Sequence, residues 1–332
     1  MKKSLLSVFI VNALASGYAM AEETQGDLTL LNRMTDVSGH VGMFFENESK
    51  EIFNAKGELD GRNEYSEHSL IDGFLNFKQL PVNVNYSIKE IENRWINPNG
   101  TRNNSYSSMR YALNGRYRVP LGNGFQTGLG YRNEIDRGHA YTVSGQEGDK
   151  TKDQHQVYTW LSYWNNEHKA GFYSQFSYGI QNQTNTNSNN EWRDADASYW
   201  KFQIKPYMNI GKFFIGLEYY YEDKQTDGIS GQLIQEFNEW YLEPEIAYRT
   251  DFGGRFFVKH RVAEKTIQHT DLDWGHDYFA TVNKTTLGYQ QNLGDWSMAA
   301  EVELFDQEQD NHGIHFNSEE SDKIKLMAHY RF

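Results

Sequence analysis

The chain has 332 residues, 32 Lys and Arg against 45 Asp and Glu, a net charge of −13, 5 Pro and no Cys. Aromatic residues reach 15% while hydrophobic residues are only 38%; a disordered chain would lack the aromatics and a collagen-like one would need far more Pro. The missing Cys excludes a disulfide scaffold and a thiolate metal site, and the acidic balance argues against nucleic acid as a partner.

Lys2 and Lys3 precede an apolar run from Ser4 to Leu14, and Ala19-Met20-Ala21 precedes Glu22. A basic start, an apolar centre and a small-residue cleavage site predict a secretory signal peptide over 1–21. Residues 22–36 are then expected as a short periplasmic extension and 37–332 as an outer-membrane β-barrel. No internal stretch reaches the ~18 apolar residues of a membrane helix, but a barrel hides its apolar face by alternation.

That alternation recurs along the chain. In its clearest case Met109, Tyr111, Leu113, Gly115, Tyr117 and Val119 share one face, and Arg110, Ala112, Asn114, Arg116 and Arg118 the other. Fourteen such runs lie near 37–46, 67–77, 81–91, 105–119, 125–135, 154–164, 170–179, 197–208, 213–223, 236–249, 255–264, 277–291, 296–306 and 321–332. Most have about ten residues, as tilted membrane strands need, rather than the ~5–6 of soluble strands. Fourteen is even, as expected of a bacterial single-chain barrel.

The connections alternate in length. Short ones carry turn residues, such as Gly122-Asn123-Gly124, Asn209-Ile210-Gly211-Lys212 and Asn292-Leu293-Gly294-Asp295. Long polar ones lie near 47–66, 92–104, 136–153, 180–196, 224–235, 265–276 and 307–320. This is the asymmetry of short periplasmic turns and long extracellular loops, and it places both termini in the periplasm. Aromatic residues near run ends (Tyr117, Tyr178, Tyr221, Trp240, Tyr248, Tyr289 and Trp296) predict interface girdles. Pro206 and Pro244 fall inside strand patterns, where Pro cannot donate to a ladder, and are expected at bulges. The run 154–164 leaves open whether Val157, Thr159, Leu161 and Tyr163 or Tyr158, Trp160 and Trp164 face lipid.

The chain closes with Asp322-Lys323-Ile324-Lys325 and His329-Tyr330-Arg331-Phe332. An aromatic terminus after alternating residues resembles the signal read by the barrel-assembly machinery, here carried by Tyr330 and Phe332. Asp273-Trp274, Gly275-His276-Asp277-Tyr278, Leu287-Gly288-Tyr289 and Asp322-Lys323 resemble the monomeric outer membrane porin G family. The resemblance implies a monomeric all-β, transmembrane, antiparallel up-and-down barrel of fourteen strands. It would lie in the outer-membrane lipid of a Gram-negative bacterium and pass small sugars. It also implies pH gating through lumen histidines, although no His pair of this chain matches that pattern.

Sorted by strand, the inward charges separate. Lys89, Arg110, Arg116, Arg118 and Arg132 belong to strands three to five, and Glu218, Glu222, Glu239, Glu243 and Glu245 to strands nine and ten. Strands four and ten are nearly opposite in a ring of fourteen, so a basic wall would face an acidic one across a transverse field. The alternative is that these residues are solvated or paired locally. Inward Tyr173, Tyr207, Tyr220 and Tyr241 either stack on sugar rings or pack the lumen. Asp271, Asp273, His276 and Asp277 carry metal-type donors, but their spacing matches no standard loop, and an acidic surface loop is expected. No metal and no cofactor is expected, and no nucleophile, phosphate-loop or zinc motif occurs.

The leading expectation is a passive channel for ions and mono- to oligosaccharides. A second is a channel selective for acidic oligosaccharides, resembling the oligogalacturonate porins, in which Lys89, Arg110, Arg116 and Arg118 would pair with carboxylates; the facing glutamates and that family's twelve strands stand against it. A barrel enzyme and a soluble β-sandwich are the other readings. Gel migration separates the last: the barrel is expected to run faster unboiled than boiled and to need detergent, whereas a sandwich would show neither property.

Overall fold

The computed structural model describes residues 37–78, 80–141, 147–185, 194–228, 231–270, 277–311 and 313–332. The expected signal peptide, the extension over 22–36, and Asp271, Asp273, Trp274, Gly275 and His276 lie outside them. One unit, Ser38–Asn76 with Pro81–Phe332, carries the barrel. The other comprises Met1–Val37 and Phe77–Leu80, of which only Val37, Phe77, Lys78 and Leu80 are described.

Period-2 alternation becomes fourteen strands: β1 (Val37–Asn54), β2 (Leu59–Phe77), β3 (Val82–Ile96), β4 (Arg102–Gly122), β5 (Phe125–Tyr141), β6 (Glu147–Asn165), β7 (Ala170–Asn185), β8 (Ala195–Ile210), β9 (Phe213–Gly228), β10 (Leu233–Arg249), β11 (Gly254–His269), β12 (Tyr278–Leu293), β13 (Trp296–Asn311) and β14 (Ile314–Arg331). Each pairs with its chain neighbours, and β1 closes on β14 from His40↔Arg331 to Asn54↔Asn317. Closure leaves no open edge, the condition for a sheet to stand in hydrocarbon.

The strands are longer than the apolar runs, 15 to 21 residues. The stretches expected as long loops are therefore mostly ladder: of 47–66 only 55–58 lies outside strands, and within 307–320 β13 runs to Asn311 and β14 begins at Ile314. Alternation fades there because both faces are polar once the wall rises out of lipid, while the backbone bonds continue. The outer aromatic rings mark that level. Phe213 packs on Tyr248 at 5.2 Å near one end, and Trp200 on Tyr221 at 4.8 Å near the other. Phe213 to Tyr221 on β9, like Tyr248 back to Trp240 on β10, is a step of eight residues, about 26 Å along a strand and about 20 Å along the axis at a ~40° tilt, close to a ~25 Å apolar band.

Tight turns close the opposite, short-turn end. Asn123 (φ 50°) and Gly124 (φ 85°) both take the left-handed region there, which Asn and Gly enter most cheaply. The chain enters and leaves the barrel at this end, where Gly39 and Phe332 exchange two backbone bonds of 3.1 Å.

The prolines correct an expectation. No bulge accompanies them. The β8–β9 register skips from Ile204↔Tyr219 to Tyr207↔Gly216, and β10–β11 from Leu242↔Val262 to Glu245↔Lys259, each resuming in the same frame. Pro206 and Pro244 thus omit bonds on one side without displacing the strand. A bulge does occur where none was expected, between Ser69 and Ile71. It turns Leu70 out and reverses the alternation of β2, so that Glu67 and Ser69 above it and Asp72 and Asn76 below it share a face.

Inward rings lie flat on glycines of the next strand. A Cβ on Gly130 would meet the Tyr158 ring at 2.0 Å, and one on Gly288 the Phe257 ring at 2.1 Å. Gly130→Ala is expected to push Tyr158 off the wall, lowering barrel stability by ~1–3 kcal/mol, the cost of overpacking, and narrowing the pore. Urea unfolding in lipid vesicles and open-channel conductance would register the two effects.

Candidate functional site

Which face is the lumen follows from side chains that meet over an intervening strand. Arg118 on β4 donates to Asn76 on β2 at 2.9 Å, Tyr158 on β6 to Asn114 on β4 at 2.7 Å, and Lys205 on β8 to Glu245 on β10 at 2.8 Å. Backbones two strands apart are ~9.6 Å from each other, and side chains converge across that gap only on a concave face. The alternate residues form the outer surface, with Val157 at 55% and Leu129 at 66% exposed. This settles the run 154–164: Tyr158, Trp160 and Trp164 face inward, and Trp160 is only 5% exposed.

All ten charged residues singled out from the sequence fall on the inner face, and most are paired locally. Lys89 contacts Glu67 at 2.7 Å. Arg110 holds Asp136 through two bonds of 2.8 and 3.0 Å and also lies 3.6 Å from Glu67. Arg132 binds Glu134 at 2.6 Å. On the far side Glu218 accepts from Tyr241 at 2.6 Å, and Glu222 lies 3.3 Å from Lys201. Glu239 lies 3.9 Å from Lys265, and Glu243 accepts from Arg261 at 2.7 Å. Glu245 accepts from Lys205 and Arg255. Neither wall is bare, so any transverse field is that of small pairs rather than of two opposed blocks. Alternation does not show most of these partners, because they stand on other strands and only register and curvature make them neighbours.

Arg116 differs. Its guanidinium lies 4.5 Å from the Trp160 ring centre, 5.4 Å from Tyr173 and 6.0 Å from Tyr158, and it donates to the Tyr173 hydroxyl at 2.5 Å. Tyr173 donates onward to Gln175 at 2.6 Å. The cation is thus held over ring faces instead of a carboxylate, making a shelf of three rings and one guanidinium on β4, β6 and β7. Across the barrel Tyr241, Ala263 and Val282 form an inner apolar patch on β10–β12, with Tyr220 and Phe305 packed against it. Tyr220 stacks on Tyr241 at 4.7 Å and 15°, and Tyr207 stacks on Trp164 at 5.7 Å.

At the short-turn rim His329 on β14 lies 3.4 Å from Asp72 on β2 and 4.7 Å from the His40 ring. His260 faces outward and meets Thr285 at 3.0 Å. Asp277 caps the backbone N–H of His269 at 2.6 Å. Among the described residues no group of three His, Asp or Glu is placed to hold a metal. Tyr330 and Phe332 point outward, Tyr330 against Trp296 at 5.4 Å.

Residues 1–332 match the model of the family described as "CymA: Putative cyclodextrin porin". The chain belongs to this family. It is an outer-membrane channel, closed by fourteen antiparallel strands. No curated protein matches it in sequence. Among solved structures, the deltaS2 mutant of the monoaromatic hydrocarbon channel TodX is 6% identical, with 89% of this chain and 90% of that one covered and a TM-score of 0.55. The Pseudomonas putida toluene transporter TodX is 7% identical with 94% of each chain covered and a TM-score of 0.49. An outer membrane channel from Pseudomonas putida F1 is 10% identical, covering 89% and 95%, with a TM-score of 0.48. The first of these shows a shared barrel fold. Membership of the CymA family supports the outer-membrane channel implied by the porin G resemblance, but not porin G itself. Part of that resemblance, Leu287-Gly288-Tyr289, answers a general need: Gly288 makes room for the Phe257 ring.

The pairing has a measurable consequence. Arg110→Gln strands Asp136, whose side chain is 9% exposed and which Arg110 holds through two bonds, while Glu67 keeps Lys89; it is expected to cost ~3–5 kcal/mol. Arg118→Gln removes one bond to a neutral partner and should cost only ~1 kcal/mol. Urea midpoints of both variants refolded into vesicles check the ranking.

Proposed function

We propose that this channel passes neutral oligosaccharides, cyclodextrins included, as a monomeric porin that sorts solutes by ring stacking more than by charge. The observation that carries the reading is the Arg116–Trp160–Tyr158–Tyr173 shelf. Sugar rings present C–H faces that pack on aromatic faces and hydroxyls that accept from guanidinium and amide donors. Most charges around the shelf are paired with each other, so the bore offers mainly aromatic and amide surface to a solute. The family's cyclodextrin description supports the same substrate class.

The short-turn end then faces the periplasm, after cleavage of 1–21 and with 22–36 leading into β1. Tyr330 and Phe332 end the strand offered to the assembly machinery. Ions would follow water through the same bore, without chemistry being done on any solute.

Single-channel recording of the refolded protein in a planar bilayer tests this reading. Resolved current interruptions are expected from α-, β- and γ-cyclodextrin. Tyr173→Ala, which removes the partly exposed ring of the shelf, should shorten them about twofold to tenfold, the loss of one aromatic contact of ~0.5–1.5 kcal/mol. Cyclodextrins without effect on the open channel, or dwell times that Tyr173→Ala leaves unchanged, would overturn it.

A further inference from the structure

Three lysines at the long-hairpin mouth lack the carboxylate that most lumen cations have. Lys150 and Lys152 lie on β6, on the face that also carries Gln154 and Tyr158, and Lys224 lies on β9, on the face that carries Tyr220 and Glu222. Gln154 and Lys224 each reach across one strand, Gln154 to the Tyr199 hydroxyl at 2.6 Å and Lys224 to Gln181 at 3.4 Å, which places these faces in the lumen. The Lys150 ammonium stands 5.9 Å over the Tyr106 ring.

Among the described residues no carboxylate is within ion-pair distance of any of the three. Lumen acids of β5 and β9 are engaged elsewhere: Asp136 by Arg110 at 2.8 Å, Glu134 by Arg132 at 2.6 Å and Glu222 by Lys201 at 3.3 Å. Register brings the lysines together: Gln181, which accepts from Lys224, pairs with Gln154 on β6, two residues from Lys152 and four from Lys150. All three are half-buried. Lys224 is three residues beyond Tyr221, so the cluster sits above the outer aromatic level, in the part of the wall that rises out of lipid.

Like charges gathered on a half-buried wall oppose folding, and this chain has acids to spare, 45 against 32 bases. A structural role would have placed one of those acids among them, as it did around Arg110, Lys205 and Lys323. We propose that Lys150, Lys152 and Lys224 form a binding site for a solute bearing two or more anionic groups, at the long-hairpin mouth of the lumen. An ammonium is a compact point charge without the planar fork of Arg, so it receives tetrahedral phosphate or sulfate as readily as carboxylate. The site therefore fits sugars decorated with several such groups. It lies apart from the Arg116 shelf and does not depend on the neutral-sugar reading.

Inorganic pyrophosphate is the probe, added to each side of a planar bilayer in turn at 0.15 M and 1 M KCl. Interruptions of the current are expected in the wild-type channel from one side only. They should vanish at 1 M, where the screening length falls from ~8 Å to ~3 Å. The combined variant Lys150→Gln, Lys152→Gln, Lys224→Gln should reduce their frequency at least tenfold and shift the reversal potential toward cation selectivity. Its cyclodextrin interruptions should not change, which separates failure of this site from failure of the shelf. Lys224→Gln alone, a milder change, should give a partial loss and serves if the combined variant folds poorly. Pyrophosphate interruptions that persist in both variants, that come equally from both sides, or that are absent from the wild type would overturn the proposal.

Discussion

Everything in this protein depends on closure of the backbone ladder. In hydrocarbon no water satisfies an open edge, so β1 must return to β14, and the His40↔Arg331 register fixes where it does. Once the ring is closed, each strand has one convex and one concave face, and period-2 geometry sends successive side chains to opposite solvents. The lumen chemistry is a by-product of that division: whatever cannot face lipid is brought together inside, strand beside strand.

This makes the interior a surface of pairs. A carboxylate such as Glu245 meets Lys205 and Arg255 because β8, β10 and β11 curve toward a common axis. Aromatic rings lie down on glycines in the next strand, so their bulk is spent along the wall. The Arg116 shelf joins the two devices, a cation kept in place by ring faces and one phenol. Along this wall apolar patches and hydrogen-bond donors alternate, and most charges lie close to an opposite one.

The strand number and the faces of most strands could be read from alternation. Long uninterrupted runs such as 109–119 carry that signal well. What could not be read has physical causes. Strand length exceeded the runs because the pattern comes from lipid contact, and the ladder continues beyond it. The orientation of 154–164 was open because a wall facing water can carry Trp160 and Tyr158 when glycines lie beneath them. The bulge at Leu70 left no mark, since one extra residue reverses parity without altering composition. The lysines of the long-hairpin mouth lie where the alternation fades, and their isolation from acids is a matter of register, which a single sequence does not contain.

The two prolines have a consequence for how the barrel moves. Pro206 interrupts the seam between β8 and β9, and Pro244 the seam between β10 and β11, both near the short-turn rim, while the β9–β10 seam runs through from Gln235↔Thr226 to Tyr248↔Phe213. The β9–β10 hairpin is therefore continuous within itself and loosely stitched on both flanks at one level. Because pairing resumes in the same frame past each gap, the hairpin can lean and return without slipping register. The rim has a built-in flexure there, where both flanks of one hairpin lack bonds at the same height.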